Sequence, residues 1–252
     1  MRKPFLSVVI PSYNELKNLK RGVLDGVLEY LEGQSYPWEI ILTDDGSTDG
    51  TTQALHTFAK SSEHITVVEN IHAGKAPTVT SGMLAASGQW RLFTDFDQST
   101  PISEVEKLLP FTEQGFSVII GSREMVGAVR DEEPWYRRLM GRGFNLVVQI
   151  FAVPGILDTQ CGFKLFSEEA TTTLFNTLYI YGSKKERKDA YTGAFDVELL
   201  YLATKMGFNV KEVPITWFHN ETERVSPIKD SLRMFIDILR MRFARIQGKY
   251  QL

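Results

Sequence analysis

Two carboxylates one residue apart, Asp95 and Asp97, end a short apolar run through Leu92 and Phe93 and lead into the turn-forming Gln98-Ser99-Thr100-Pro101. Oxygen donors so arranged suit a hard divalent cation such as Mg2+ or Mn2+. A lone D-x-D arises often by chance, so the pair needs company to mean anything. Three other stretches supply it. Pro11-Ser12-Tyr13-Asn14-Glu15 offers an aromatic ring and an acid. Asp44-Asp45-Gly46-Ser47-Thr48-Asp49-Gly50-Thr51 offers adjacent acids in a run that would serve equally to cap a helix. His72-Ala73-Gly74-Lys75 offers a cation. An aromatic ring and acids can grip a base and a ribose, and a lysine with a metal can neutralise a diphosphate.

Each of these stretches follows a segment that reads as a strand. Residues 5–10 are apolar on both faces, as in a central parallel strand. Residues 37–43 and 65–69 read as the next two strands, and the fourth reaches Asp95. Between them, apolar residues at spacings of three and four predict a helix over 15–32 (Leu16, Leu19, Val23, Val27, Leu31), a helix ending near 60, and a small-residue helix near 76–87. Alternating strands and helices predict an α/β, doubly wound, Rossmann-like, mostly parallel sheet. Right-handed crossovers then place the loops after the strands on one edge, where open α/β sheets bind ligands. Tyr13, Glu15, Asp44, Lys75, Asp95 and Asp97 would meet there.

The second half is less regular. Residues 117–121 form a strand ending in Gly121-Ser122-Arg123, and a helix over 134–151 carries Arg137, Arg138 and Arg142 beside apolar residues. The polar turn Asp158-Thr159-Gln160-Cys161-Gly162-Phe163-Lys164 enters a short strand, and a helix over 194–206 precedes a strand over 208–213. A final basic helix over 226–246 has Leu232, Phe235, Ile236, Leu239, Phe243 and Ile246 as its apolar side. No linker stands out, so residues 1–225 read as one domain and 226–252 as a C-terminal amphipathic helix, part of it or appended to it.

Composition excludes several classes. With 43% hydrophobic and 23% charged residues, the chain of 252 residues can build a sizeable core. A net charge of −3 gives no global attraction to nucleic acid or anionic lipid, so any basic patch is local. The single cysteine, Cys161, forbids an intrachain disulfide and suits a reducing compartment; it reads as a small buried hydrophobe. The apolar run after the basic N-terminus stops at Pro11, too soon for a secretory signal. No run approaches about 18 uninterrupted apolar residues, so no transmembrane helix is expected.

In Val9-Ile10-Pro11-Ser12-Tyr13-Asn14-Glu15, the Asp44–Thr51 run, Gly74-Lys75 and Asp95-Phe96-Asp97, the chain resembles the inverting family 2 glycosyltransferases of the GT-A fold. The Asp158–Lys164 turn and Phe195-Asp196-Val197-Glu198 narrow the likeness to the polyprenyl-phosphate glycosyltransferases, nearest the dolichyl-phosphate β-glucosyltransferase type. The likeness spans residues 5–245. It implies that Pro11, Tyr13, Glu15 and Asp44 contact the donor nucleoside, and that Asp95 and Asp97 hold the metal and the donor diphosphate. It implies that Arg123 and Arg137 face the acceptor phosphate. Mannosyl-type relatives use Gln as a further metal ligand two residues past the second acid; Ser99 stands here, as in glucosyl-type relatives. The serine that helps the acceptor arginine in those enzymes is replaced by Gly141, so that contact is lost or supplied by Arg138 or Arg142. Arg224 stands where many relatives carry a lysine that closes over the diphosphate.

The expected reaction needs no catalytic base. A phosphate monoester has a second pKa near 6 and is largely a dianion, hence already a nucleophile, at pH 7. The enzyme must align it and stabilise the departing diphosphate, roles suited to Asp97, Arg123 and Arg137 with Lys75 and Arg224. The expected protein is peripheral on the cytoplasmic face of a membrane. Its partners would be a nucleotide-sugar donor (UDP-glucose foremost), a polyprenyl phosphate and the membrane surface, and no nucleic acid. GDP-mannose or a UDP-N-acetylhexosamine donor, a soluble saccharide acceptor, and an inactive nucleotide-sugar-binding protein stay open as alternatives.

Overall fold

The computed structural model describes residues 3–131, 143, 145–146, 148–182, 193–219 and 227–250, the side chains of 227–231 excepted. A seven-stranded sheet forms its centre. Strands β1 (Leu6–Ser12), β2 (Trp38–Asp44), β3 (Ile65–Glu69), β4 (Trp90–Thr94) and β5 (Val118–Ser122) are joined by β7 (Phe163–Ser167) and β8 (Val210–Pro214) in the order β3-β2-β1-β4-β7-β5-β8. All pairings are parallel except those of β7, which runs antiparallel between β4 and β5. The reversal has a functional consequence. The start of β7, not its end, lies beside the carboxyl end of β4, so the turn 158–162 reaches the edge where β1 to β4 end. Two short strands, β6 (Val129–Arg130) and β9 (Thr216–Trp217), pair in parallel beside that edge.

Every residue of β1 is buried, because helices cover both faces. Side chains alternate across the sheet. Leu6, Val8 and Ile10 pack with Leu24, Val27 and Leu31 of α2 (Val23–Glu32) and Leu55 of α3 (Thr51–Ala59). Val9 joins the opposite layer with Val79 and Met83 of α4 (Lys75–Ala85), Leu174 of α6 (Glu168–Thr177), Leu199 of α7 (Phe195–Lys205) and Ile238 of α8 (Pro227–Ile246). A short helix, α5 (Val105–Leu108), sits between two 3-10 turns on the α2 side.

Three expectations are corrected. The helix expected over 15–32 is two, α1 (Leu16–Lys20) and α2, because Gly22 takes a left-handed conformation (φ +75°) that ends one and starts the other. α6 was missed at the sequence level; its Thr-rich run masks the apolar period, and Ser167 caps it by accepting from the Ala170 N–H. In α8 the expected apolar side is not the core side. Asp237, Ile238, Met241 and Ala244 face inward, while Leu232 (61%), Ile236 (42%), Phe243 (63%) and Ile246 (80%) are exposed. Of the helix expected over 134–151, the described residues 143, 145–146 and 148–151 are helical, and Phe151 packs edge-on to Phe235 of α8. Those two segments border an open groove of about 390 Å3 lined by Ile150, Phe151, Leu239, Arg242, Phe243 and Ile246. Among the described residues, no helix is long and apolar enough to cross a membrane.

Candidate active site

The first two motifs are knitted into one wall. Asn14, held at φ +53°, donates its N–H to Ser47 Oγ (2.9 Å), and its side-chain oxygen accepts from the Thr48 N–H (2.9 Å). The Glu15 N–H donates to Thr51 Oγ1 and the Leu16 N–H to Asp49. Asp44 is buried beneath this wall and accepts from Ser12 Oγ, the Ser47 N–H, Ser47 Oγ and Thr52 Oγ1. Its neighbour Asp45 reaches the next loop. It accepts from the Ala73 and Gly74 N–H groups and lies 2.9 Å from His72 Nδ1. Thus His72 is fixed face to face on the Tyr13 ring, with centroids 4.2 Å apart and planes 10° from parallel. Tyr13, expected as a lone aromatic, is half of a stacked pair. Pro11 lies buried in β1 at the same end.

Asp45 also sets the start of α4, where Lys75 stands. Lys75 Nζ donates to Asp95 Oδ1 at 2.5 Å and lies 5.2 Å from the Phe93 ring centroid. Burial works against its ammonium, but Asp95, Asp196 and Asp97 together raise its pKa. Asp97 is pushed above the usual carboxylate range by burial and then by Asp95, while hydrogen bonds from Ser99, including its N–H at 2.9 Å, pull the other way. Ser99 therefore holds Asp97, and its own carbonyl accepts from the Phe218 N–H. The Asp95 N–H donates to the Gly162 carbonyl, which ties the carboxylate pair to the β7 turn. Gly162 is there because nothing larger fits: a Cβ would stand 2.0 Å from Asp95 Oδ2.

Two acids crowded so closely, one with a raised pKa, call for a cation. Their donor set is all oxygen, and Asp95 already draws an ammonium. The residues fit Mg2+ or Mn2+ with Asp95 and Asp97 as ligands. Among the described residues, no group of three or more His, Cys, Asp or Glu could hold a metal, so further ligands must come from elsewhere.

Arg123 follows β5, and its backbone N–H, Nε and Nη2 all donate to Asp158, at 3.0, 2.7 and 2.9 Å. Burial alone would raise the Asp158 carboxyl, but Arg123, with Lys164 beyond it, holds it down at about 2. Two guanidinium groups, Arg123 and Arg130, each lie 5.5 Å from the ring centroid of Trp217 of β9. Arg130 in turn pairs with Glu124. Deeper in the fold, Lys164 of β7 is fully buried and pairs with Asp196 at 2.5 Å. Carboxylates and cations thus run from Asp97 and Asp95 through Lys75, Asp196, Lys164 and Asp158 to Arg123. Cys161 lies within this run; burial pushes its thiol up to about 12, so it is inert.

Tyr13, Glu15, Asp44, Lys75, Asp95 and Asp97 all stand at one sheet edge, with Arg123 on the neighbouring β5 loop. Arg137, Arg138 and Arg224 lie outside the described residues. Sequence reasoning missed what Asp45, His72, Asp158 and Trp217 do. Only the local density of polar residues around them could have signalled it.

The sequence profile of glycosyl transferase family 2 matches residues 7–175. The chain belongs to glycosyl transferase family 2. The dolichyl-phosphate beta-glucosyltransferase of Saccharomyces cerevisiae is 33% identical over 266 residues, covering 98% of this chain and 77% of that one. Those of Homo sapiens (33%; 98% and 78%) and Dictyostelium discoideum (32%; 98% and 77%) are similarly related. Among solved structures, glucosyl-3-phosphoglycerate synthase from Mycobacterium tuberculosis, in complex with Mn2+, UDP and glucosyl-3-phosphoglycerate, superposes with a TM-score of 0.65 at 18% identity, covering 96% of this chain and 80% of that one. Mannosyl-3-phosphoglycerate synthase from Rubrobacter xylanophilus gives 0.64 at 18%, covering 99% and 76%. At such identities these structures establish the fold, GT-A, as the motifs implied. As a family 2 glycosyltransferase, the chain carries its D-x-D at the carboxyl end of β4.

Proposed function

We propose that this glycosyltransferase moves glucose from UDP-glucose to a polyprenyl phosphate with inversion at the anomeric carbon. The observation that carries the proposal is identity of about one third to dolichyl-phosphate beta-glucosyltransferases over 98% of the chain, spanning both the donor edge and the Arg123 loop. The Tyr13–His72 stack offers a flat face for the uracil ring. Glu15 stands beside it for the ribose, while Asp44 and Pro11 shape the wall from beneath. Lys75 opens α4, whose N-terminal end also favours the negative charge of a diphosphate. Asp95 and Asp97 would hold a divalent metal, which stabilises charge on the leaving diphosphate when bound.

On the other side, Asp158 and Trp217 fix the Arg123 guanidinium in plane, so that it can receive the acceptor phosphate with little loss of entropy. Arg137 and Arg138 would assist it, and Arg224 would close over the diphosphate. The acceptor's phosphate oxygen attacks the anomeric carbon, the bond to the diphosphate oxygen breaks, and no proton needs removal. The exposed apolar stripe of α8 and the groove beside Ile150 and Phe151 suit the lipid tail and a bilayer surface, with arginines at the rim. This surface supports a lipid acceptor over a soluble saccharide; on this reading the enzyme is peripheral on the cytoplasmic face of a membrane, with 226–252 as the lipid-facing end of the domain.

Purified protein incubated with radiolabelled UDP-glucose, GDP-mannose or UDP-N-acetylglucosamine, polyprenyl phosphate and Mn2+ should label lipid from UDP-glucose. Asp97→Ala should abolish it. Labelling from another donor would change the sugar, and none from any donor would sink the proposal.

A further inference from the structure

We infer that Lys75 serves as a resident counter-cation of the D-x-D pair, so that the chain binds divalent metal with the donor diphosphate rather than as a bare ion. The inference rests on the metal–donor reading above and concerns the order in which that site fills. Its ground is the position of the ammonium. Lys75 Nζ lies 2.5 Å from Asp95 Oδ1, an oxygen of the carboxylate that would hold the metal. The contact is reachable from solvent, with 27% of the Lys75 side chain and 38% of the Asp95 side chain exposed. The lysine is also held from behind, by the face of Phe93 and by the charge of Asp196.

A bare divalent ion therefore meets an ammonium within a few ångströms of its binding position. Like charges at such range repel, even at the effective dielectric of about 20 that suits protein sites. It also meets too few ligands, since no third carboxylate, imidazole or thiolate joins Asp95 and Asp97 among the described residues. A diphosphate changes both terms. Its oxygens complete the metal's coordination, and its negative charge gives Lys75 a partner in place of Asp95. Lys75 can make that exchange by rotating its partly exposed side chain, while its backbone stays at the start of α4.

Mn2+ binding, followed by the electron paramagnetic resonance signal of free Mn2+, tests this on the whole chain with and without UDP. Wild type should bind Mn2+ weakly alone and at least about tenfold more tightly with UDP. Lys75→Met and Lys75→Gln should each bind Mn2+ alone about tenfold more tightly than wild type, and should gain less from UDP. Lys60→Met, an equal change of charge at the exposed end of α3, should match wild type. Lys75 variants that are folded by circular dichroism but bind Mn2+ alone no better than wild type overturn the inference. If wild type still gains from UDP, that result leaves the metal–donor reading standing. If UDP brings no Mn2+ to any chain, that reading fails as well.

Discussion

At the scale of single residues, the site is shaped by what small side chains permit. Gly162 supports the carboxylate pair by having no side chain. Gly162→Ala would drive a methyl group to within 2.0 Å of the Asp95 carboxylate, which can swing aside while the backbone stays. Turnover should therefore fall at least about tenfold, with a melting temperature within a few degrees of wild type. Parallel rate and melting measurements check this, and a large loss of stability would contradict it.

The Asp158–Arg123 pair is a residue-scale device with a pH signature. The folded carboxyl titrates at about 2 against an ordinary 3.8, so it binds fewer protons folded than unfolded between those values. Its stabilisation is complete above about pH 4 and is lost as pH falls through 2, amounting to roughly 2 kcal/mol. Asp158→Asn should thus be less stable than wild type at pH 7 by about that amount. The gap should close as pH falls from 4 towards 2 in urea unfolding series. Its acceptor KM should rise at pH 7, because Arg123 loses the partner that aims it.

At the scale of elements, the reversed strand β7 carries the design. Lys164 sits on it, fully buried and paired with Asp196 at the start of α7. Lys164→Met leaves that carboxylate buried without its partner and should cost about 3–5 kcal/mol by chemical denaturation. A cost near zero would mean that Asp196 finds another donor. β6 and β9 act at the edge, presenting Trp217 to both Arg123 and Arg130. The antiparallel insertion and the two-residue strands were invisible in the sequence. A five-residue strand has the same pattern in either direction, and two residues have no period at all. By contrast, β1 to β4 were legible, because long β-branched runs alternate there with amphipathic segments and end in turn-rich loops.

At the scale of the whole molecule, α8 joins two surfaces. Ile238, Met241 and Ala244 lock it into the layer with α7, and Tyr250 reinforces the joint by donating its hydroxyl to the buried Glu198. The same Glu198 accepts the Tyr179, Ile180 and Tyr181 N–H groups, and the Tyr181 hydroxyl bonds Asp237 of α8. The outer stripe is left bare by this docking. Phe243→Glu with Ile246→Glu should reduce flotation with liposomes severalfold while leaving melting nearly unchanged, because both side chains are more than half exposed. Unchanged flotation would remove α8 from the lipid surface.

The sequence by itself determined the family, the α/β alternation and the four loops that hold Tyr13, Glu15, Asp44, Lys75, Asp95 and Asp97. Each of those signals is local: a run of one period followed by turn residues. Only the tertiary structure decided which of these groups face one another. Asp44 and Asp45 look alike in sequence, yet one anchors the wall beneath Ser47 and the other reaches across to His72 and the start of α4. Arg123 looks like a solitary cation, yet it is fixed by an aspartate 35 residues away. The side of α8 richest in large apolar residues faces outward, because burial follows the shape of the layer it docks on and not the residue count on each face. Contacts between distant segments have no period to read, so their pairing, and the charge balance at the D-x-D pair, emerge only when the strands are set side by side.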